Sequence, residues 1–316
     1  MINFRYHLVS IVAILLALGI GIVLGSGFLG GVLWERLQND VQRVAEDNDE
    51  LRAQMLEQGR TLSAYEEFAR VAEADVIDGA LAGREVALFT VDGTDESSLA
   101  DLRDAVELAG GSVATVIRTT AELTLASPEA RSELALTLGA TQRSPSELRR
   151  ELGIALGGAA AAASSLDPSP RGPGPDNVLD ALLARLAEQG FVTVEPAAGE
   201  EAIPPLSLFL VVEGSGANPP WRPLTYTRAL ATSLAQRGGD VLVAEPSTSV
   251  WGVVGSLRED ERALTTVSTV DQAETVPGRT GVVLGLSRAA RGRVGHFGTG
   301  PGAEDGLLPQ PVPLAG

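Results

Sequence analysis

Residues 8–33, LVSIVAILLALGIGIVLGSGFLGGVL, hold no charge and no proline, and this run constrains the chain more than any other feature. Its most polar side chains are Ser10 and Ser26. More than about 18 such residues in succession read as a transmembrane helix. At about 1.5 Å per residue the run reaches roughly 39 Å, beyond the roughly 30 Å of a hydrocarbon core. The surplus falls in the glycine-rich end, 25–31. A cleaved secretory signal is one competing reading, with Arg5 in its leading segment and Gly25-Ser26-Gly27 as a cleavage site. Signals, however, have an apolar stretch of about 7–15 residues, and here a helical pattern runs straight on. A buried core helix is the other, and so long an all-round apolar surface disfavours it. The sequence therefore predicts an uncleaved anchor over 1–34. Arg5 on one flank and Arg36 and Arg43 on the other do not fix its direction. A short leading tail before a large acidic remainder fits a signal anchor, N-terminus cytoplasmic and C-terminal domain extracytoplasmic.

The segment behind the anchor carries a second repeat. Alternate steps of four and three from Leu37 reach Val41, Val44, Asn48, Leu51, Met55, Gln58, Leu62, Tyr65, Ala69, Ala72 and Val76, and nine of these eleven are apolar. That is a heptad with Leu37 at d and Val41 at a, which predicts a coiled coil over 35–78. Asn48 falls at an a position, where a buried amide fixes register and favours two strands. Asp47 at g faces Arg52 at the following e of a parallel partner. The expected interface is Leu37, Val41, Val44, Asn48, Leu51, Met55, Leu62 and Tyr65, in a homodimer. The alternative, an amphipathic helix packed on its own globular domain, draws on Gln58 and Gly59 in the middle of the repeat. Within the anchor, Ala17, Gly21 and Gly25 recur every four residues, a small-residue face that lets two membrane helices approach closely.

From residue 84 strands and helices alternate. Strands are expected at 85–91, 112–118, 191–195, 206–212, 240–244 and 281–286, with 265–270 at an edge. Helices are expected at 97–109, 178–189 and 226–237. Ser127-Pro128 and Ser144-Pro145 each read as N-cap followed by N1, the second with Glu147 completing a capping box. This succession predicts an α/β domain over 84–306 with a Rossmann-like, mainly parallel sheet. The segment 164–177, SSLDPSPRGPGPDN, reads as a flexible connection and 307–316 as an extended tail.

Chemistry is sparse. A net charge of −17 works against nucleic acid and anionic headgroups, so no nucleic-acid partner is expected. With no cysteine there are no disulfides, thiolate ligands or cysteine nucleophile. The 24 basic residues are all arginine, a compositional trait of GC-rich genomes. No phosphate-loop, zincin or serine-hydrolase motif is present. Glu213-Gly214-Ser215-Gly216 follows a strand as a phosphate loop does, yet Pro219-Pro220 interrupts the helix that should receive the phosphate. Asp92 and Asp95 flank a turn at a strand end, a frequent site position and equally an ordinary turn. Copper(I) wants cysteine or methionine, and borderline metals want histidine. The chain offers Met1, Met55, His7 and His296. No metal site, cofactor or catalytic set is expected.

The opening Phe4-Arg5-Tyr6-His7-Leu8-Val9-Ser10, continuing through Leu16-Ala17-Leu18-Gly19-Ile20-Gly21 to Leu24-Gly25-Ser26-Gly27, resembles the start of the actinobacterial MctB/SteB family. Gly295-His296-Phe297-Gly298 and Asp305-Gly306-Leu307-Leu308-Pro309 resemble its C-terminal end. The resemblance implies one of two roles. One is copper transport, with an outer-membrane channel limiting intracellular copper. The other is cell separation, in which an anchored protein works with a cytoplasmic SteA-like partner and engages a peptidoglycan hydrolase outside through its coil. A channel needs a closed barrel or several spanning helices, and the residues offer one. The expectation is thus a non-enzymatic, single-pass dimeric envelope scaffold, with copper transport or homeostasis as the alternative.

Overall fold

The computed structural model describes residues 4–141, 144–164, 178–197 and 203–309, so most of the connection read at 164–177 and of the tail at 307–316 lies outside them. The chain divides into two compact units, Met1–Glu67 and Phe68–Gly316.

The first unit is helical. Helix α1 spans Phe4–Ile77, its last turns belonging to the second unit. Its stretch Phe4–Gly25 is, among the described residues, the one helical stretch long and apolar enough to cross a membrane. Ala17, Gly21 and Gly25 are exposed, and a Cβ at Gly21 or Gly25 meets nothing within 4 Å. The heptad positions are open as well. Leu37, Val41, Val44, Leu51, Met55, Leu62 and Tyr65 are each 55–68% exposed, and Asn48 is exposed.

In the second unit the strands form where apolar, β-branched residues run together, and serine or threonine caps start the helices Pro128–Leu138, Pro145–Ala163 and Val276–Ala289. The order is β1 Glu85–Val91, α2 Glu96–Leu108, β2 Ser112–Thr119, a 3₁₀ turn Ala121–Thr124, α3 Pro128–Leu138, α4 Pro145–Ala163 and α5 Val178–Glu188. Then come β3 Val192–Pro196, β4 Leu208–Val212, α6 Leu224–Gln236, β5 Val241–Glu245, α7 Val253–Arg258, α8 Glu261–Leu264, β6 Ser268–Asp271, α9 Val276–Ala289 and β7 His296–Phe297. Ser127 and Ser144 cap α3 and α4 as their spacing predicts, each side chain accepting a backbone N–H of the first turn.

Among the described residues the sheet has seven strands in the order β3-β2-β1-β4-β5-β6-β7. All pairs are parallel except β2–β3. Phe89, Ile117, Phe209 and Val243 pack on one face with α4, α5 and α6, and Val86, Leu88, Leu210 and Leu242 pack on the other with α2 and α9. Each such fully buried side chain contributes about 1.5–3 kcal/mol. This is the α/β, mainly parallel architecture the sequence predicts.

Three local readings are corrected. The run 281–286 is not a strand but the middle of α9, capped by Thr275. Its glycines serve close approach: a Cβ at Gly285 would lie 2.6 Å from Leu242 Cδ1 on β5. The strand read near 265–270 is β6, which lies inside the sheet because the two-residue β7 covers it. Near its end, α1 packs on its own domain through Glu73 and Ile77, not through the heptad position Val76, which is 50% exposed. Glu73 is buried and holds Arg279 of α9 by hydrogen bonds of 2.8 and 2.9 Å.

Candidate functional site

In an open parallel sheet, ligands bind beyond the strand C-termini where the strand order reverses, here between β1 and β4. The sequence candidates Asp92, Asp95 and the Glu213-Gly214-Ser215-Gly216 loop converge at this crevice, and protein fills it. The Asp95 N–H donates to the Gly214 carbonyl at 3.1 Å, and the Val250 N–H to the Ser215 carbonyl at 3.0 Å. Trp251 Nε1 donates to the Ala217 carbonyl at 2.7 Å. A Cβ at Gly93 would already touch Pro220 and Trp251. Gly214 has φ of +122°, and a Cβ there would lie 2.5 Å from Ser249 Oγ, so this position requires glycine.

The helix starts that would receive a phosphate already hold carboxylates. Asp95 accepts from the Ser98 N–H at 2.9 Å and from the Ser97 and Ser98 hydroxyls at 2.7 Å each. The Ser98 hydroxyl first, then the Ser97 hydroxyl and the Ser98 N–H, hold its pKa below the usual value. Glu245, at the end of β5, accepts from the Val254 N–H of α7 at 2.8 Å and from Ser249 Oγ at 2.6 Å. A phosphate would meet negative charge at both starts, which works against a nucleotide there.

Sequence reasoning missed the cluster beneath. Glu213, the residue after β4, is fully buried. Thr227 Oγ1 lies 2.7 and 2.6 Å from its two oxygens and 3.1 Å from the Pro223 carbonyl. One hydroxyl proton cannot serve three acceptors, and a carbonyl can only accept. The set closes when Thr227 donates to Pro223 and a protonated Glu213 donates to Thr227. Burial agrees, pushing the Glu213 pKa up to about 8, with the Glu245 carboxylate acting in the same direction. The Thr227 hydroxyl opposes the rise, and burial outweighs it. The Tyr226 phenol is also buried, makes no hydrogen bond, and has its pKa raised by burial and by Glu213. The only sequence signal was a glutamate directly after each of the apolar strands LFLVV and VLVA.

This arrangement sets a pH dependence. A carboxyl with pKa 4.5 unfolded and about 8 folded binds an extra proton on folding. Its contribution is full below the lower value and lost as pH rises through the upper. Glu213→Gln, which keeps the donor and sheds the charge, is therefore expected to be more stable than the parent at pH 9, on the order of 4 kcal/mol, and close to it near pH 4. Urea unfolding at the two pH values measures the difference, and equal gaps at both would refute the assignment.

A second polar cluster closes the C-terminal end. Arg258 is buried and donates to Thr269 Oγ1 at 2.9 Å, to Asp271 Oδ2 at 2.6 Å and to the Phe297 carbonyl at 2.7 Å. Asp271 also accepts the Thr299 and Gly300 N–H groups at 2.9 and 3.1 Å. His296 Nε2 lies 2.8 Å from the Leu264 carbonyl, so that nitrogen carries a proton. Its Nδ1, 2.8 Å from Thr269 Oγ1, then accepts the threonine hydroxyl. With both ring nitrogens engaged, His296 has no lone pair for a metal. Among the described residues no group of three or more histidine, cysteine or acidic side chains could hold a metal ion.

Comparison with known proteins places the whole chain. Residues 1–308 match the family described as "Copper transport outer membrane protein, MctB". The chain is 30% identical to the copper transporter MctB of Mycobacterium tuberculosis H37Rv, covering 96% of this chain and 98% of the relative. The figures are the same for the Mycobacterium bovis protein. The copper transporter MctB of Mycobacterium leprae is 27% identical, over 98% of this chain and 100% of that one. With the fold, the membrane-type helix and both terminal motifs in one match, the chain belongs to the MctB family.

Proposed function

We propose that the protein serves copper homeostasis, limiting intracellular copper as a single-pass membrane protein that acts through the assembly it forms. Its whole-length likeness to proteins named copper transporters carries this reading. The mode of action follows from the chain's own residues. An open sheet covered by helices on both faces lines no pore. His296 is spent on structure, His7 and Met55 are exposed on α1, and cysteine is absent. Copper is thus cargo of a larger assembly. The protein itself has no catalytic role, and the open face from Leu37 to Tyr65 recruits a second copy in parallel. The N-terminus is cytoplasmic and the α/β unit extracytoplasmic.

The test is deletion of the gene followed by measurement of cell-associated copper. Accumulation that the parent protein reverses supports the proposal, and unchanged copper refutes it. Leu51→Asp/Leu62→Asp puts charge into the seam, which is expected to weaken self-association by roughly 100-fold in Kd. Sedimentation of the full chain in detergent micelles reads this directly, and the variant should fail to restore copper control.

A second reading rests on the same exposed seam: a scaffold for cell separation, binding a peptidoglycan hydrolase outside and a SteA-like protein in the cytoplasm. Chained, unseparated cells with normal copper would select it.

A further inference from the structure

The segment 214–223 passes over the ends of β1, β4 and β5; its polar ties to the rest of the unit are few, and Trp221 anchors it in the core against Tyr226 and Arg149. Gly214, Ser215 and Ala217 hold it by one carbonyl each, as described above, and Trp221 Nε1 donates to the Thr120 carbonyl at 3.3 Å. At its far end Pro223, the N-cap of α6, accepts the Thr227 N–H at 2.9 Å and the Thr227 hydroxyl at 3.1 Å. At its near end Gly214, with φ of +122°, adjoins Glu213. The Thr227 hydroxyl that reaches Pro223 is also the acceptor of the Glu213 proton. One buried proton therefore sits between the two ends of the strap.

The surroundings leave the charged form no partner. From β5, Glu245 faces Glu213 with its own negative charge, itself held by Ser249 and Val254. From α6 come the Tyr226 phenol and the Thr227 hydroxyl. On the β1 side Asp95 touches the strap only through its backbone N–H, its carboxylate being turned to Ser97 and Ser98. Arg149 of α4 spends its guanidinium on the Leu123 and Thr124 carbonyls, at 2.7 and 2.8 Å, and on the Trp221 ring. Among the described residues no cation pairs with Glu213 or Glu245.

The geometry points to Glu213 as a proton-operated latch: while its carboxyl donates to Thr227 the strap is closed, and loss of that proton to solvent opens it. A bare carboxylate there keeps neither its hydration nor a counter-charge. The adjoining glycine offers the shortest way out, carrying Glu213 toward water and lifting the strap from the strand ends. Trp221, 5% exposed in the closed form, and the Tyr226 phenol beneath it are then uncovered.

Hydrogen exchange of the full chain in detergent micelles tests this between pH 6 and 9.5, with rates corrected for intrinsic base catalysis. Amide protection across 214–223 is expected to fall at least tenfold over that range while β4 keeps its protection. In Glu213→Gln the strap should stay protected throughout. In Glu245→Gln, which removes the neighbouring charge and makes the closed carboxylate less costly, the strap should open less readily, with the opening midpoint moved to higher pH. A strap whose protection is flat with pH in the parent, a pH dependence that survives Glu213→Gln, or a Glu245→Gln midpoint that stays put or falls would each overturn the proposal.

Discussion

Arg258→Met is expected to destabilise the α/β unit by about 3–5 kcal/mol, the cost of leaving one member of a buried ion pair without its partner. Asp271 would keep the Thr299 and Gly300 N–H groups but lose the guanidinium, and the Phe297 carbonyl and Thr269 hydroxyl would each lose a donor. Urea unfolding of the full chain measures the loss. The double variant Arg258→Met/Asp271→Leu should recover only part of it, because the two backbone N–H groups then lack their acceptor. Full recovery would show that the pair contributes nothing beyond its own charge balance. A loss under about 1 kcal/mol for the single variant would place the pair with weak surface bridges.

The second large effect belongs to α4 and α6. A Cβ at Gly157 would lie 2.6 Å from the Leu230 carbonyl oxygen and 2.9 Å from Ser233 Cβ, and at Gly153 2.5 Å from the Tyr226 carbonyl oxygen. These obstacles are mostly backbone, which cannot swing aside. Gly157→Val should push the helices apart and cost about 3 kcal/mol, well above the helix-propensity gain of less than about 1 kcal/mol. Gly158 supplies the contrast, since its Cβ would meet only the Arg237 guanidinium, the nearest atom at 3.2 Å. Gly158→Ala should be neutral or stabilising by up to about 1 kcal/mol. Thermal unfolding of the pair reads the opposite signs, and equal losses would show that the crossing tolerates no side chain at any of these glycines.

The sequence revealed elements whose signal is local and hid those whose cause is tertiary. β1, β4 and β5 are short apolar runs bounded by turns, and Ser127 and Ser144 announce their helices by cap chemistry alone. α9 was hidden because Gly278, Gly281 and Gly285 lower its helical propensity. Two of them do so for contact, Gly278 against the Gln272 carbonyl and Gly285 against Leu242. β7 has two residues and exists only because Arg258, Asp305 and His296 hold the chain beside β6. At the candidate site, Asp95 and the glycine loop were visible as turn residues, and the structure gives them capping and packing duties. Glu213 and Glu245 lie 32 positions apart by number, and only the pairing of β4 with β5 makes them neighbours. The C-terminal glycine motif was legible as a resemblance, and its physical cause is the Asp271 carboxylate, which leaves no room for a side chain at Gly298.

The borders of the sheet also limit how such molecules aggregate when crowded. One margin is the five-residue β3, which ends in exposed Glu195 and Pro196, and the other is the two-residue β7. A foreign chain seeking main-chain partners meets a charge, a missing N–H donor and very little length, the features that keep natural sheets from zipping into fibrils. Copies concentrated on a bilayer can therefore touch often without nucleating amyloid.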